Sequence, residues 1–159
     1  MLKGKNIVLR PLQNSDLDFL ERIENNTENW QFGSEQKQFN KQELLDYIAN
    51  AKTDIKVAKQ YRFVIDLKNT PIGFIDLFDY TTDSAGVGVI ISKDHRNKGF
   101  AKEALSLITN YGFNTLKLQK LHCSIVKDNS SSTKLFTSYG FELEKEVNNL
   151  QYFVKLAKN

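Results

Sequence analysis

Residues 95–105 read HRNKGFAKEAL, with Arg96 and Lys98 flanking Asn97 just before Gly99, after which the chain becomes amphipathic and helical. At any helix start about four backbone N–H groups lack a partner within the helix, and the macrodipole adds roughly half a positive charge. Gly99 has no Cβ, so the backbone there can approach an anion closely. Downstream, Ala101, Ala104, Leu105, Ile108 and Gly112 share one stripe whose small residues let the helix lie close to a sheet. The stretch is therefore either a backbone cradle for a diphosphate or a solvated basic turn whose glycine serves only its φ angle. The surrounding chain has to decide between them.

Beyond this helix, LHCSIV (121–126) has strand character, SSSTKLFTSY (130–139) forms a short helix, and GFELEKEV and QYFVKLA are closing strands. Before it, YRFVIDL (61–67), the turn KNTP, IGFIDLFDY (72–80) and GVGVIIS (86–92) predict three adjacent antiparallel strands. NIVLR (6–10) is an opening strand. Leu17, Leu20 and Ile23 then mark a helix to about residue 25, capped by Asn14 or Ser15. Leu44, Tyr47, Ile48 and Ala51 mark a second helix over 41–52, and the intervening NNTENWQFGSEQKQF reads as a loop. The pattern predicts an α/β (α+β) fold with a mixed, mostly antiparallel sheet of six to seven strands flanked by helices. No linker or repeat interrupts it, so residues 1–159 are expected to form one domain.

Composition narrows the function. A chain of 159 residues buries roughly two thirds of its unfolded surface, enough for a core without staples. With 40% hydrophobic and 26% charged residues and a net charge of +3, it lacks the Lys/Arg density of a nucleic-acid binder. A small anionic ligand suffices to use that charge. Cys123 is the only cysteine, so no intrachain disulfide forms, and no apolar run approaches the ~20 residues of a membrane span. MLKGKNIVLR does not read as a leader, and a cytoplasmic protein without membrane or nucleic-acid partners is expected. His95 and His122 are separated by a helix, and Cys123 lies between strand positions. They have neither metal-ligand spacing nor a Cys/His catalytic arrangement; no metal is expected, and Cys123 reads as packing. There is no G-x-x-x-x-G-K-[ST], and GVGVII neither completes G-x-G-x-x-G nor leads into a helix.

What does occur is R-N-K-G-F-A (96–101), which matches the [RQ]-x-x-G-x-[GA] signature, and here the chain resembles the GNAT superfamily of acetyl-CoA-dependent N-acetyltransferases. The likeness continues through KEAL, YGF (111–113), LKLQKLHCSIVKDNSSSTKLF and the SYGFE turn (138–142), covering about residues 72–144. NIVLRPLQNSDLDFL is similar to the branch holding ribosomal-protein alanine acetyltransferases and spermidine acetyltransferases. The resemblance implies that Val89, Ile90 and Ile91 lie on a strand that splays from its neighbour and pairs with the pantetheine of acetyl-CoA. It implies that Arg96, Asn97, Lys98, Gly99, Phe100 and Ala101 wrap the diphosphate, mostly through main-chain N–H groups, with Lys102 near the entrance and Asn129 holding the pantetheine from the other side. Plainer roles stay open beside these: a buried strand for Val89 to Ile91, and a helix N-cap for Asn129.

The chemistry is less complete. An alkyl ammonium with a pKa near ~10 must lose a proton before attacking a thioester, which costs roughly 4 kcal/mol at neutral pH. Relatives often carry a glutamate near the start of the strand at 86–92, where this chain has Gly86. Asp76 in GFIDLFDY is the first replacement to consider and Asp79 a weaker one. A water relay, with Asp76 simply exposed on an alternating strand, is the other reading. The tyrosine by which spermidine acetyltransferase-like members assist the departing thiolate is Phe136 here. Ser132, three positions after Asn129, either takes that task or merely opens a helix, and Phe136, four residues on, shares its face along the cofactor. Trp30, Phe32 and Phe39 fall in the expected acceptor region, and Glu24, Glu28, Glu35, Glu43 and Asp46 suit a polyamine or an ordinary solvated surface. The implied reaction is direct acetyl transfer in a ternary complex to a primary amine, which could be a polyamine, a protein N-terminus, an aminoglycoside or another small amine. A CoA-binding sensor without turnover is the alternative of another class. Exposed strand edges allow a homodimer.

Overall fold

The computed structural model describes residues 1–26 and 38–158. Its strands are β1 (Leu2–Lys3), β2 (Val8–Pro11), β3 (Tyr61–Leu67), β4 (Thr70–Phe78), β5 (Ser84–Ile91), β6 (Lys120–Val126), β7 (Glu142–Val147) and β8 (Leu150–Leu156). They form one sheet in the order β1-β2-β3-β4-β5-β6-β8-β7, antiparallel except between β5 and β6. The helices are α1 (Leu17–Asn25), α2 (Lys41–Asn50), α3 (Ile55–Ala58), α4 (Phe100–Asn110) and α5 (Ser130–Ser138).

Eight strands exceed the expected six to seven because β1 has only two residues, too few to show any alternation. Tertiary bonds fix its position. The Glu103 carboxylate on α4 accepts from the Asn6 N–H at 2.8 Å, the Ile7 N–H at 2.9 Å and the Asn6 side-chain amide at 2.9 Å. The first helix also starts differently from its expected Asn14 or Ser15 cap. A 3₁₀ turn over Asn14–Asp16 precedes it, and the Asp16 carboxylate accepts the Gln13 N–H at 2.8 Å. Arg10 binds that same carboxylate at 2.8 and 2.9 Å and Asp66 at 2.6 Å, so one half-buried guanidinium joins β2, the start of α1 and β3.

Two apolar layers hold the sheet. On one face Ile75, Leu77, Ala85, Val87, Leu121 and Cys123 meet Ala104, Leu105 and Ile108 of α4 and Phe136 of α5. On the other, Val64 and Phe74 meet Phe19, Leu20 and Ile23 of α1 and Leu44 and Ile48 of α2. Strand alternation explains the division, since successive residues of β4 point to opposite faces.

The parallel pair β5/β6 is incomplete. Ser84, Ala85 and Gly86 lie opposite Lys120, Leu121 and His122, and there the pairing stops. β5 continues to Ile91 along β4, while β6 continues to Val126 along β8. A gap therefore opens between two strands that run the same way, closed at Gly86/His122 and wide where the chain leaves β5 and β6.

Candidate active site

The turn quoted at the outset follows β5 and stands at the wide end of this gap. The chain leaves Ile91 through Ser92, whose N–H donates to the Ile72 carbonyl at 2.7 Å, and a 3₁₀ turn over Lys93–His95. Arg96 folds back so that its Nε donates to the Ile91 carbonyl at 2.9 Å, which ties the turn to the strand end. Asn97 and Gly99 have φ of 63° and 87°. Gly99 is the N-cap of α4 in a left-handed conformation that glycine adopts without strain, and no side chain caps the helix. A Cβ built on Gly99 would meet nothing within 4 Å, so the space in front of the first-turn N–H groups is open. Such a set of outward N–H groups, with Lys98 and Lys102 exposed beside it, has the donor chemistry a diphosphate needs.

Because β5 and β6 are parallel, the segment after β6 arrives at the same wide end. Asn129 caps α5, accepting the Ser132 N–H on its Oδ1 at 3.2 Å. Ser132 is half-buried on the first turn. Phe136, expected along the cofactor, is instead a core residue: it is 4% exposed, and its ring meets Phe141 edge-on at 5.1 Å. One turn beyond Ser132, α5 has already dipped into the apolar layer. Val89 and Ile90 are half-buried on the open length of β5, Val89 packing toward the α4 face and Ile90 toward α1 and α2, and Ile91 is 6% exposed.

The face of β4 and β5 toward α1 and α2 carries a charged cluster. Asp76, opposite Gly88 of β5, accepts from Nε and a terminal nitrogen of Arg62, both at 2.8 Å, and Arg62 is also paired with Glu24 of α1. The guanidinium carbon lies 4.7 Å from the Phe74 ring centroid and 5.6 Å from that of Tyr47. Burial alone would weaken the Arg62 charge, but Asp76, Tyr47 and Glu24 outweigh it and hold the group firmly protonated. Asp76 was the expected replacement base, yet both of its oxygens already accept from Arg62. That bidentate grip holds the carboxylate against the guanidinium and keeps it from swinging toward an amine. Asp79 stands at the strand end with φ of 49° and is exposed.

The absence of a carboxylate at Gly86 has a steric cause. A Cβ there would lie 2.3 Å from Cε2 of Phe78, whose ring occupies that space, and one on Gly88 would lie 3.7 Å from Cε1 of the same ring. Cys123 is buried and its thiol is pushed up to about 12, so it behaves as packing. Among the described residues no group of three or more His, Cys, Asp or Glu side chains could hold a metal ion, and no helix is long and apolar enough to cross a membrane. Trp30, Phe32, Glu28 and Glu35 lie outside the described residues. Phe39 packs against the α1/α2 layer, and Glu43 caps the start of α2. The contribution of Arg62 was not visible in the sequence.

A sheet split at a parallel pair, with a glycine-led helix start at the wide end, is the arrangement that the resemblance to acetyl-CoA-dependent acetyltransferases implies. Residues 6–142 match the acetyltransferase (GNAT) domain, and the chain belongs to the GNAT acetyltransferase family. It is an N-acetyltransferase that moves an acetyl group from acetyl-CoA to an amine. Among its relatives, spermidine N(1)-acetyltransferase of Escherichia coli K12 is 28% identical over 149 residues, covering 92% of this chain and 78% of that enzyme. Acetyltransferase PseH of Campylobacter jejuni is 28% identical over 152 residues, covering 96% and 92%. The fold agrees with that of spermidine N-acetyltransferase from Vibrio cholerae, solved with CoA and spermine, at a TM-score of 0.85 and 23% identity over 96% of each chain.

Proposed function

We propose that the amine acetylated is a small polycation of the polyamine class. The observation that carries this reading is the Glu24–Arg62–Asp76 cluster, in which two carboxylates face one guanidinium beside the side-chain-free Gly88. Its net negative charge favours an acceptor with a second cationic group. The likeness to a spermidine N(1)-acetyltransferase over most of both chains supports the same class.

On this reading the first-turn N–H groups of α4, together with Asn97, Lys98, Gly99, Phe100 and Ala101, bind the diphosphate, while the Arg96 side chain tethers their turn. Lys102 adds charge at the entrance. Val89, Ile90 and Ile91 offer an extended edge to the pantetheine amides, and Asn129 lines the opposite side. The amine attacks the thioester directly, and the Ser132 hydroxyl assists the departing thiolate. The whole chain acts as one domain, in the cytoplasm where acetyl-CoA is made. It pairs as a homodimer through the β7–β8 hairpin, whose Leu143, Val147, Leu150 and Leu156 are exposed.

The test is CoA release from acetyl-CoA with spermidine, an alanine-led tripeptide and an aminoglycoside as acceptors. Spermidine is expected to exceed the others at least about tenfold in kcat/KM, the value of one well-placed charge contact. A tripeptide or aminoglycoside that matches or outruns spermidine rejects the polyamine assignment.

A further inference from the structure

The closed end of the gap lacks a carboxylate but holds an imidazole. Phe78 of β4, Gly86 of β5 and His122 of β6 form one cross-strand row, the last before β5 and β6 separate. Residues paired in this way point to the same side of a sheet. That side also carries Asp76 and Phe74, so His122 faces the α1/α2 layer and not the core behind Cys123. Its ring stands perpendicular to that of Phe78, with centroids 6.1 Å apart. The two glycines of β5 make this possible, because the Phe78 ring lies over Gly86 and Gly88 and abuts the imidazole. His122 is half-buried, and among the described residues nothing hydrogen-bonds its ring nitrogens.

We propose that His122 is the catalytic base of acetyl transfer, taking the proton from the ammonium of the acceptor at the closed end of the gap. The proposal rests on the chain being an acetyltransferase, though not on the acceptor being a polyamine. One imidazole nitrogen accepts an N–H proton of the ammonium, and the freed lone pair forms the N–C bond to the thioester carbonyl. The tetrahedral intermediate then breaks its C–S bond, the sulfur leaves with the electron pair, and the second N–H proton passes to the thiolate to give CoA. The imidazolium returns its proton to solvent, so the sum is one ammonium and one acetyl-CoA giving one amide, one CoA and one proton.

The surroundings suit the task. Burial, seconded by Lys120 on the same strand, lowers the affinity of His122 for a proton, while Asp79 at the end of β4 and Glu144 of β7 oppose them. Its partner on β8 is Val154, which does not titrate. The ring is thus neutral and able to accept near pH 7. His95, the other histidine, is engaged through Nδ1 with the Ser92 hydroxyl at 2.9 Å and sits at the far end of β5.

The experiment compares wild type with His122→Gln and His122→Ala, following CoA release from acetyl-CoA over pH 5.5–10 with spermidine and, in parallel, an alanine-led tripeptide. Loss of a general base is expected to cut kcat/KM for the amine by about 10²-fold near pH 7 in both variants, with KM for acetyl-CoA unchanged. Wild type should already be level near pH 7, where the imidazole whose proton affinity burial has lowered is neutral, whereas the variants should climb toward the amine's own pKa near ~10 and recover most of the deficit there. A loss of under about threefold near pH 7, or a deficit constant across pH, overturns the proposal. Activity confined to the tripeptide rejects the polyamine reading and still measures the His122 ratio. Absence of turnover with either amine overturns the base assignment and the polyamine reading together, and leaves acetyl-CoA binding by calorimetry to test the donor site alone.

Discussion

The proposed donor end and the proposed acceptor end of the gap are built by different means. Backbone makes the first: N–H groups at the start of α4, the left-handed Gly99 and the edge of β5 that β6 leaves open after Gly86. Side chains make the second: Glu24 from α1, Tyr47 from α2, Arg62 from β3 and Asp76 from β4 converge across more than fifty residues of sequence. A backbone site changes little when most side chains change, and a convergent site can be rewritten by one substitution. The difference fits a fold that keeps one donor while varying its acceptor.

The sharpest way to break the contrast is Arg62→Met, which leaves Glu24 and Asp76 without their counter-ion against two aromatic rings. Because the carboxylates keep some solvent contact, the expected loss is about 2–4 kcal/mol. Thermal unfolding should fall by roughly 5–12 °C, while KM for acetyl-CoA holds. At the donor end Gly99→Val should do the reverse. The side chain has room, so the fold loses only about 1–2 kcal/mol from the left-handed backbone. KM for acetyl-CoA should nonetheless rise about 10- to 30-fold, read from saturation curves at fixed amine. An unchanged donor KM would remove the diphosphate from this turn.

Both glycines of β5 belong to the boundary between the two ends, and Gly86→Ala tests it. The added methyl collides with the Phe78 ring, at an expected cost of about 1–3 kcal/mol in denaturant melts. The double variant with Phe78→Ala should recover part of that cost, a coupling of about 1 kcal/mol. Smallest of all is the expected response of Cys123. Burial raises its thiol from the ordinary 9.0 to about 12, so the stability gained from the neutral thiol is complete below pH 9 and is lost as pH rises through 12. A disulfide reagent near pH 8 should therefore leave the native protein unlabelled and find one thiol after denaturation.

The same contrast explains what the sequence revealed. R-N-K-G-F-A is contiguous and its chemistry belongs to the backbone, so six adjacent residues suffice to read it. β3 was legible to the residue at Tyr61–Leu67 because its run of aromatic and β-branched residues stops at the Lys68–Asn69 turn. The partner of Asp76 was hidden by one irregularity. The Lys68–Asn69 turn pairs Leu67 with Thr70 and Asp66 with Pro71, a register that, extended, would set Tyr61 opposite Asp76. A bulge between Ile65 and Asp66 shifts the pairing by one and brings Arg62 there instead. Nothing in the local composition marks that bulge. His122 looked like an isolated histidine for a similar reason: its position at the last paired row depends on where β5 and β6 part, which is settled by packing on either side of the gap.

The bond from Asn6 to Glu103 spans 97 positions of chain. On the ribosome, where about 5–20 residues emerge each second, the first strand pair must wait roughly 5–20 s for its latch to be synthesised. During that interval Ile7 and Leu9, both buried in the finished core, have no α4 beneath them. The opening segment is thus among the parts of the nascent chain exposed longest before they find shelter, and chaperone capture during translation should concentrate there.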